Sequence, residues 1–394
     1  MILLPIAASV NCVCRSKPVK IFIVAGETSG DQLGAKLLSD LRALHPDIEV
    51  RGIGGMALAQ QGMQSLFSMS DLSLMGIAEV LPKIPQLIKR LDKTAAAIAE
   101  FAPDIVLTID VPDFSKRLAK KLQPLRGKIK LVHYVAPTVW AWRAGRAKTM
   151  AKLFDHLFCL FPFEPPYFER EGLAATFVGH PIAMQEEKGD AAHLRAKLAI
   201  RDDQQVICFL PGSRRSEVKK LLPIFLETLQ RLQQQNPDIV ALLPTMPHLQ
   251  DEVLAQTNSI ANLHVLPPQD KQDAFALAAE QGGAIAASGT VTLELAAVGC
   301  PHVIAYVLHP LTEMMVRMLY KLPHVNLVNI LAGRTIVCEY LQGAVTADAL
   351  VTAYKDCREK SAHQKVEFIE QLNKLKASAP NIAAQTLLRL LNRA

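Results

Sequence analysis

Four short segments hold the residue types that chemistry needs, and each joins an apolar run to a helical one. In VAGETSGD, Val24 to Asp31, Gly26 and Gly30 bracket Thr28 and Ser29. Small residues let a ligand approach the backbone while the two hydroxyls and a helix N-terminus offer donors; a plain capped turn uses the same residues. IDVPDF sets Asp110 at the C-terminal end of a buried run, where a carboxylate can take a hydroxyl proton or only order the loop. Pro112 and the SKRLAKKL run that follows assign Asp113 to capping a helix. FLPGSRRSEV, Phe209 to Val218, puts a Gly-Ser turn before Arg214 and Arg215, a site for phosphate oxygens or a solvated basic helix start. AASGTVTLELA, Ala286 to Ala296, repeats the logic with Ser288, Gly289 and Thr290, and places Glu294 about one turn inside the helix. Amides at that turn can cradle a diphosphate and the carboxylate can bind ribose hydroxyls; the alternative is a capping motif with an exposed glutamate. No DxD pair, HExxH or His/Cys ligand spacing stands near these turns. Charge compensation is therefore expected from helix termini and arginine, with no metal and no cofactor.

The elements that would position these groups follow from patterning. KIFIVAG from Lys20 reads as a strand, Gln32 to Leu44 as a helix and Ile48 to Ile53 as a second strand. IVLTI (Ile105 to Ile109) and LVHY (Leu131 to Tyr134) are further buried strands separated by helical lengths, which predicts a parallel α/β sheet with ligand loops after its strand ends. The alternation restarts at VICFL from Val206 and continues through Ile239 to Leu243, His264 to Leu266, Ile285 to Ala287 and Val303 to Tyr306. Gly179 to Ala192 is the linker candidate, and Gln364 to Ala394 is amphipathic and helical. The expected organisation is an extension over 1–18, a first domain over 19–182, a second over 183–363 and a helical segment over 364–394.

Composition narrows the class. A 394-residue chain with half its residues hydrophobic and a fifth charged is globular and long enough for two domains. No run of about 18 uncharged apolar residues occurs, so no transmembrane helix is expected. Forty-three basic against 37 acidic residues leave +6, which permits an anionic lipid surface without demanding nucleic acid. HYVAPTVWAWRAGRAK, His133 to Lys148, brings both tryptophans beside Arg143, Arg146 and Lys148. One such patch argues for loop packing at a cleft over nucleic-acid stacking. Seven cysteines without CxxC spacing predict buried reduced thiols and a reducing cytoplasm. The first residues hold an apolar stretch, Ile2 to Val10, without a basic n-region, and read as a disordered extension or an early start codon. Between Leu74 and Lys93, Ile77, Leu81, Ile84, Ile88 and Leu91 share one helical stripe, with Lys83, Lys89, Arg90 and Lys93 around it. Such a helix can rest on acidic lipid or face a core; Pro82 and Pro85 predict a break in it.

Taken together, VAGETSGD, MGIAEVL, IDVPDF, HYVAPTVWAWR, FVGHP, LPGSR, ASGTVTLE and LVNILAGR resemble the lipid-A-disaccharide synthase family, in its order and spacing over about residues 20–345. The resemblance implies an α/β fold of the GT-B type, two Rossmann-like domains facing a central cleft. It implies an inverting transfer of 2,3-diacylglucosamine from UDP to the 6-hydroxyl of 2,3-diacylglucosamine 1-phosphate, giving a β(1→6) disaccharide 1-phosphate and UDP. Asp110 is then the general base, Thr28 and Ser29 lie near the reacting sugars, and Arg214, Ser288, Gly289, Thr290, Glu294 and Asn329 hold UDP. It also implies a homodimer with exchanged C-terminal segments, attached peripherally to the cytoplasmic face of the inner membrane.

Three features depart from the family pattern. The first eighteen residues lie outside it, Val307 stands where many members have a basic residue, and Val328 where many have proline. Two other readings fit parts of the chain. One is another GT-B enzyme acting on UDP-N-acetylglucosamine, a polyprenyl-lipid transferase or an epimerase. The other is a noncatalytic peripheral protein that binds lipid or nucleotide.

Overall fold

The computed structural model describes residues 18–72, 77–140, 145–185, 188–308 and 323–391, without side chains over 77–84. The extension expected over the first eighteen residues therefore lies almost wholly outside the described residues. Among the described residues there are twelve strands: β1 Val19–Ala25, β2 Ile48–Ile53, β3 Ile105–Ile109, β4 Lys130–Tyr134, β5 His156–Cys159, β6 Ala175–Phe177, β7 Val206–Leu210, β8 Val240–Pro244, β9 Leu263–Leu266, β10 Gly282–Ala286, β11 His302–Tyr306 and β12 Glu339–Leu341. The first half carries helices α1 Thr28–Leu44, α2 Met56–Gln60, α3 Ile77–Phe101, α4 Pro112–Lys121, α5 Gly145–Leu153 and α6 Pro165–Glu169. The second carries α7 Ala191–Leu198, α8 Arg215–Gln235, α9 Gln250–Thr257, α10 Lys271–Gln281, α11 Val291–Ala297, α12 Leu327–Ala332, α13 Ala347–Glu359, α14 Ser361–Lys374 and α15 Ile382–Leu391.

The strands form two six-stranded parallel sheets, ordered β2-β1-β3-β4-β5-β6 and β12-β11-β10-β7-β8-β9. Parallel pairing requires crossovers, which place helices on both faces, so the strands are buried on both sides and read as continuous apolar runs. Alternation shows the layering: Ile21, Ile23 and Ala25 pack into one core with α1, while Phe22 and Val24 pack into another with α4 and α5. In the second sheet Val206, Cys208 and Leu210 face one core and Ile207 and Phe209 the other. The expected parallel α/β architecture is what the chain adopts.

Several boundaries differ from expectation. α1 begins at Thr28, four residues before the predicted start, because Gly30 and Gly34 let the helix lie against Ile109, which a Cβ at either position would crowd. α3 runs unbroken from Ile77 to Phe101 through Pro82 and Pro85; each proline deletes one i→i−4 bond and the long helix keeps the rest. Of the apolar stripe expected on lipid or on a core, Ile77, Leu81 and Ile84 are outside the described side chains, Ile88 is exposed and Leu91 packs against the core that holds Phe22 and Val24. No helix among the described residues is long and apolar enough to cross a membrane. The C-terminal segment does not act as one unit. Phe368 and Leu375 belong to the second half's core, whereas Ala383, Ala384 and Leu387 of α15 return to pack with α1.

The chain thus passes between the halves twice, and the two passages touch. The His180 N–H donates to the Leu375 carbonyl at 2.9 Å. Gly179, at φ 86°, lies so close to the returning chain that a Cβ would stand 2.8 Å from the Ala377 nitrogen.

Candidate active site

In each sheet the strand order reverses once, between β1 and β3 and between β7 and β10. Loops leaving the carboxyl ends of strands diverge at such a point and open a crevice, where ligands of doubly wound folds bind. The loop after β1 carries Glu27 and leads into Thr28 and Ser29 in the first turn of α1, and that after β3 carries Asp110; the loops after β7 and β10 carry Arg214 and Ser288 to Thr290.

The first crevice is built by mutual exclusion of Gly26 and Val111. A Cβ on Gly26 would lie 2.3 Å from Val111 Cγ2, so only glycine lets the two loops meet. Val111 sits at φ 45° and Asp110 at φ 55°, left-handed backbone that a β-branched residue rarely adopts and that costs about 1–3 kcal/mol per residue. Neighbours hold it in place. The Asp110 N–H donates to the Tyr134 carbonyl at 3.0 Å, Ser115 N donates to the Val111 carbonyl at 3.0 Å and Ser115 Oγ to the Asp110 carbonyl at 2.9 Å. The Val111 N–H donates to Asp110 Oδ1 at 2.9 Å.

Burial raises the Asp110 pKa above the usual carboxylate range, opposed by that Val111 N–H. Burial also raises Glu27, and the negative charge of Asp110 raises it further. Glu27 is thus a second acidic group of the crevice that sequence reasoning passed over. Its signal was available: it is the one charged residue between the end of β1 and the hydroxyls of Thr28 and Ser29, both of which are exposed. Asp31, by contrast, is buried and accepts from the Gly55, Ala57 and Leu58 amides at 2.7, 2.8 and 3.3 Å, pinning the loop after β2. Asp113 is not the cap of α4: Val111 holds that position and Asp113 lies in the first turn, paired with Lys116 at 2.8 Å, which lowers its pKa.

In the second crevice Glu217 ties the turn together. It accepts from the Ser213 and Arg214 amides at 3.2 and 3.3 Å, from Arg214 Nη1 at 3.1 Å and from the Tyr306 hydroxyl at 3.2 Å. Gly212 at φ 113° makes room for it, since a Cβ would meet Glu217 Oε2 at 2.4 Å. The Arg214 side chain is 72% exposed. Ser288 Oγ donates to the Val325 carbonyl at 2.7 Å, binding the turn to the segment before α12, while Gly289 and Thr290 remain exposed. Glu294 is not the exposed glutamate of a bare cap. Lys271 Nζ lies 2.6 Å from its carboxylate and Gln272 Nε2 donates to it at 3.1 Å.

Asn329 is fully buried, and its amide is spent. The nitrogen donates to the Val337 carbonyl and Glu339 Oε1 at 2.7 and 2.8 Å, and the oxygen accepts from the Ile336 and Val337 amides at 2.8 and 2.9 Å. These bonds fix the strap 336–339 against α12. Val328 is buried beside it, and its N–H bonds the Asn326 cap at 2.7 Å, a donor that proline would lack. Lys220 Nζ reaches the Val307 carbonyl at 3.5 Å, so a cation stands beside this position although residue 307 brings none.

Of the tryptophan segment, Trp142 and Arg143 lie outside the described residues. Trp140 donates to Glu164 Oε1 at 3.1 Å, while Glu164 Oε2 accepts from the Leu160 and Phe161 amides at 3.1 and 3.0 Å. Burial pushes the Glu164 carboxyl up to about 7 against those three donors. The four buried cysteines among those described, 159, 208, 300 and 357, are free thiols, as is exposed Cys338.

Comparison with known proteins agrees with this architecture. In solved structures, the fold resembles Staphylococcus aureus MnaA in its co-structure with UDP, at TM-score 0.62 and 14% identity over 94% of this chain and 95% of that one. It also resembles the UDP-GlcNAc 2-epimerase of Neisseria meningitidis bound to UDP-GlcNAc, at TM-score 0.59 and 13% identity over 95% and 100%. These likenesses extend to the fold alone, which is the two-lobed GT-B arrangement. Sequence relatives are nearer. The lipid-A-disaccharide synthase of Rhodospirillum centenum is 48% identical over 86% of this chain and 84% of its own. That of Gluconobacter oxydans is 40% identical over 94% and 91%, and that of Pseudomonas aeruginosa 38% over 95% and 99%. A family model described as lipid-A-disaccharide synthetase matches residues 21–387. With nearly its whole length accounted for at this level of identity, the chain belongs to the lipid-A-disaccharide synthase family.

Proposed function

We propose that the chain is an inverting glycosyltransferase that moves 2,3-diacylglucosamine from UDP-2,3-diacylglucosamine to the 6-hydroxyl of 2,3-diacylglucosamine 1-phosphate. The products are a β(1→6) disaccharide 1-phosphate and UDP. In this reading residues 19–182 form the acceptor-side lobe and 183–363 the lobe that binds the UDP-sugar. The observation that carries it is the half-buried Asp110 on flipped backbone at a switch point, with its proton affinity raised by burial. A base poised nearer neutrality than an ordinary carboxylate suits removal of a hydroxyl proton, a step worth about 10²- to 10⁴-fold.

Asp110 takes the 6-hydroxyl proton as the acceptor oxygen bonds to the anomeric carbon and the bond to the UDP oxygen breaks. The negative charge arriving on the diphosphate is met by Arg214 and the amides of Gly289 and Thr290, and Glu294 faces the ribose hydroxyls. Thr28 and Ser29 hold the sugars near Asp110. Asn329 acts at one remove, by fixing the strap beside the nucleotide turn. The acyl chains of both substrates require a lipid phase, and the basic side of α3 suits an anionic inner-membrane surface on the cytoplasmic side; a homodimer sharing C-terminal segments is the assembly we assign.

The test combines purified protein with both substrates, follows UDP release and identifies the disaccharide by mass. Asp110→Asn should lose at least 10²-fold in kcat while binding UDP as the parent does. Near-normal turnover by a folded Asp110→Asn protein refutes the base assignment.

A further inference from the structure

A cavity of about 410 Å³ opens where the two halves meet beside the double crossing, and nothing in the mechanism above uses it. The first half supplies Trp140, Pro162, Phe163 and Tyr167; the second supplies Ile330 and Leu331 of α12 and Lys374 at the end of α14. Its walls are mainly aromatic and aliphatic, and its volume is that of a small-ligand pocket, for which about 300–1,000 Å³ is usual. The single cation of the lining, Lys374, is already engaged by Gln371 at 2.8 Å and Glu370 at 3.2 Å. A charged ligand therefore finds no unengaged counter-charge among the lining side chains, and an uncharged, chain-like group fits the walls.

Connectivity says which substrate would fill it. Ser288 of the nucleotide turn is bound to Val325, and Val325 leads directly through the Asn326 cap into α12, whose Ile330 and Leu331 face the cavity. On the other wall, the segment leading to Trp140 leaves β4, the strand whose Tyr134 carbonyl holds the Asp110 N–H. We infer that this cavity receives one acyl chain of the UDP-activated donor, so that α12 couples the seating of the chain to the turn that holds the diphosphate. The inference rests on the transferase reading above.

The experiment measures kcat and KM with donors of graded acyl length at fixed acceptor, and then with graded acceptors at fixed donor. Wild type is compared with Leu331→Trp, which fills the cavity, and Tyr167→Ala, which widens it at an exposed position. Wild type should lose about fourfold in donor kcat/KM per buried methylene removed. Leu331→Trp should flatten that dependence by raising KM for long donors at least tenfold while sparing short ones, and Tyr167→Ala should shift the preferred donor toward longer chains. Acceptor chain length should affect all three proteins alike. A change confined to the acceptor series, or unaltered donor preference in both folded variants, overturns the assignment while leaving the transferase reading intact. No disaccharide from wild type with any donor refutes both.

Discussion

Gly26→Ala adds one methyl group at the point where the loops after β1 and β3 touch. That carbon would stand 2.3 Å from Val111 Cγ2 and 3.2 Å from Leu72 Cβ. Carbon atoms pack at roughly 3.5–4.0 Å, so the loops must part by more than about 1 Å. Val111 cannot swing aside alone. It follows Asp110 on left-handed backbone, its carbonyl accepts from Ser115 N, and its own N–H is held by Asp110 Oδ1. The displacement therefore reaches the carboxylate, and a misplacement of about 1 Å at a reacting group costs on the order of 10²-fold in rate. Overpacking should also lower stability by about 1–3 kcal/mol. The assay is UDP release for kcat, with calorimetric UDP affinity and a urea unfolding curve alongside. The expected pattern is a large fall in kcat, little change in UDP affinity because the turn proposed to hold the nucleotide lies on the other sheet, and partial recovery in Gly26→Ala/Val111→Ala. Unimpaired turnover in Gly26→Ala would show that the contact does not position Asp110. Equal losses in single and double variants would show that the damage runs through some other neighbour.

Three further expectations follow from the same geometry. The charge of Asp110 raises the Glu27 pKa on top of burial, so Asp110→Asn should lower the Glu27 pKa, read by NMR titration of the Glu27 carboxyl; an unmoved Glu27 refutes the coupling. Gly212→Ala drives a methyl into Glu217 and displaces the turn that holds Arg214, so kcat/KM for the donor should fall by about 10- to 100-fold, as for one lost charged hydrogen bond of about 1.5–3 kcal/mol, with kcat falling as well; unchanged kcat/KM refutes the role of the turn. Histidines 133, 156 and 302 are buried and His180 is half-buried, with pKa values lowered by desolvation to about 3, 4 and 4 and, for His180, about 4. The unfolded chain, titrating near 6.5, then binds more protons than the folded one, so stability is intact above about pH 6.5 and falls toward pH 4, by up to about 1.4 kcal/mol per pH unit for each histidine. Urea midpoints measured from pH 7.5 to 5 check this, and a flat profile contradicts it.

The strands were legible because parallel sheets bury both faces, and IVLTI or VICFL can hardly be anything else between helical lengths. β5, β6 and β12 escaped notice because four residues in one case, HLFC, and three in the others, ATF and EYL, are too short to carry a pattern of their own; their place comes from the neighbouring strand they extend. α1 began early and α3 ignored its prolines for related reasons, since packing against Ile109 and sheer length outweighed local punctuation. At the site, the residue types after each strand were readable, but their partners were not. Nothing in LVNILAGR says that Asn329 turns inward to the strap 336–339, because those bonds are made by residues up to ten positions away. Likewise no local rule places a valine at φ 45°; only the glycine opposite it explains how Val111 fits.

The positions of strain suggest why this arrangement persists. Asp110 and Val111 after β3 and Val135 after β4 all have positive φ, and these are adjacent strand ends of one sheet. A freely ending loop would relax such backbone, so its retention at about 1–3 kcal/mol each requires that sheet pairing and helix packing over-determine the geometry. Here the pairing continues past the strands: Asp110 N reaches the Tyr134 carbonyl and Val135 N the Phe158 carbonyl at 3.0 and 3.1 Å. The ladder thus extends one residue into each loop, and the flipped residues turn the chain abruptly away at the crevice. The Asp110 loop thus ends on backbone that its own sheet fixes, and that sheet is tied to the half carrying the 288–290 turn at the paired crossings, where His180 N meets the Leu375 carbonyl at 2.9 Å.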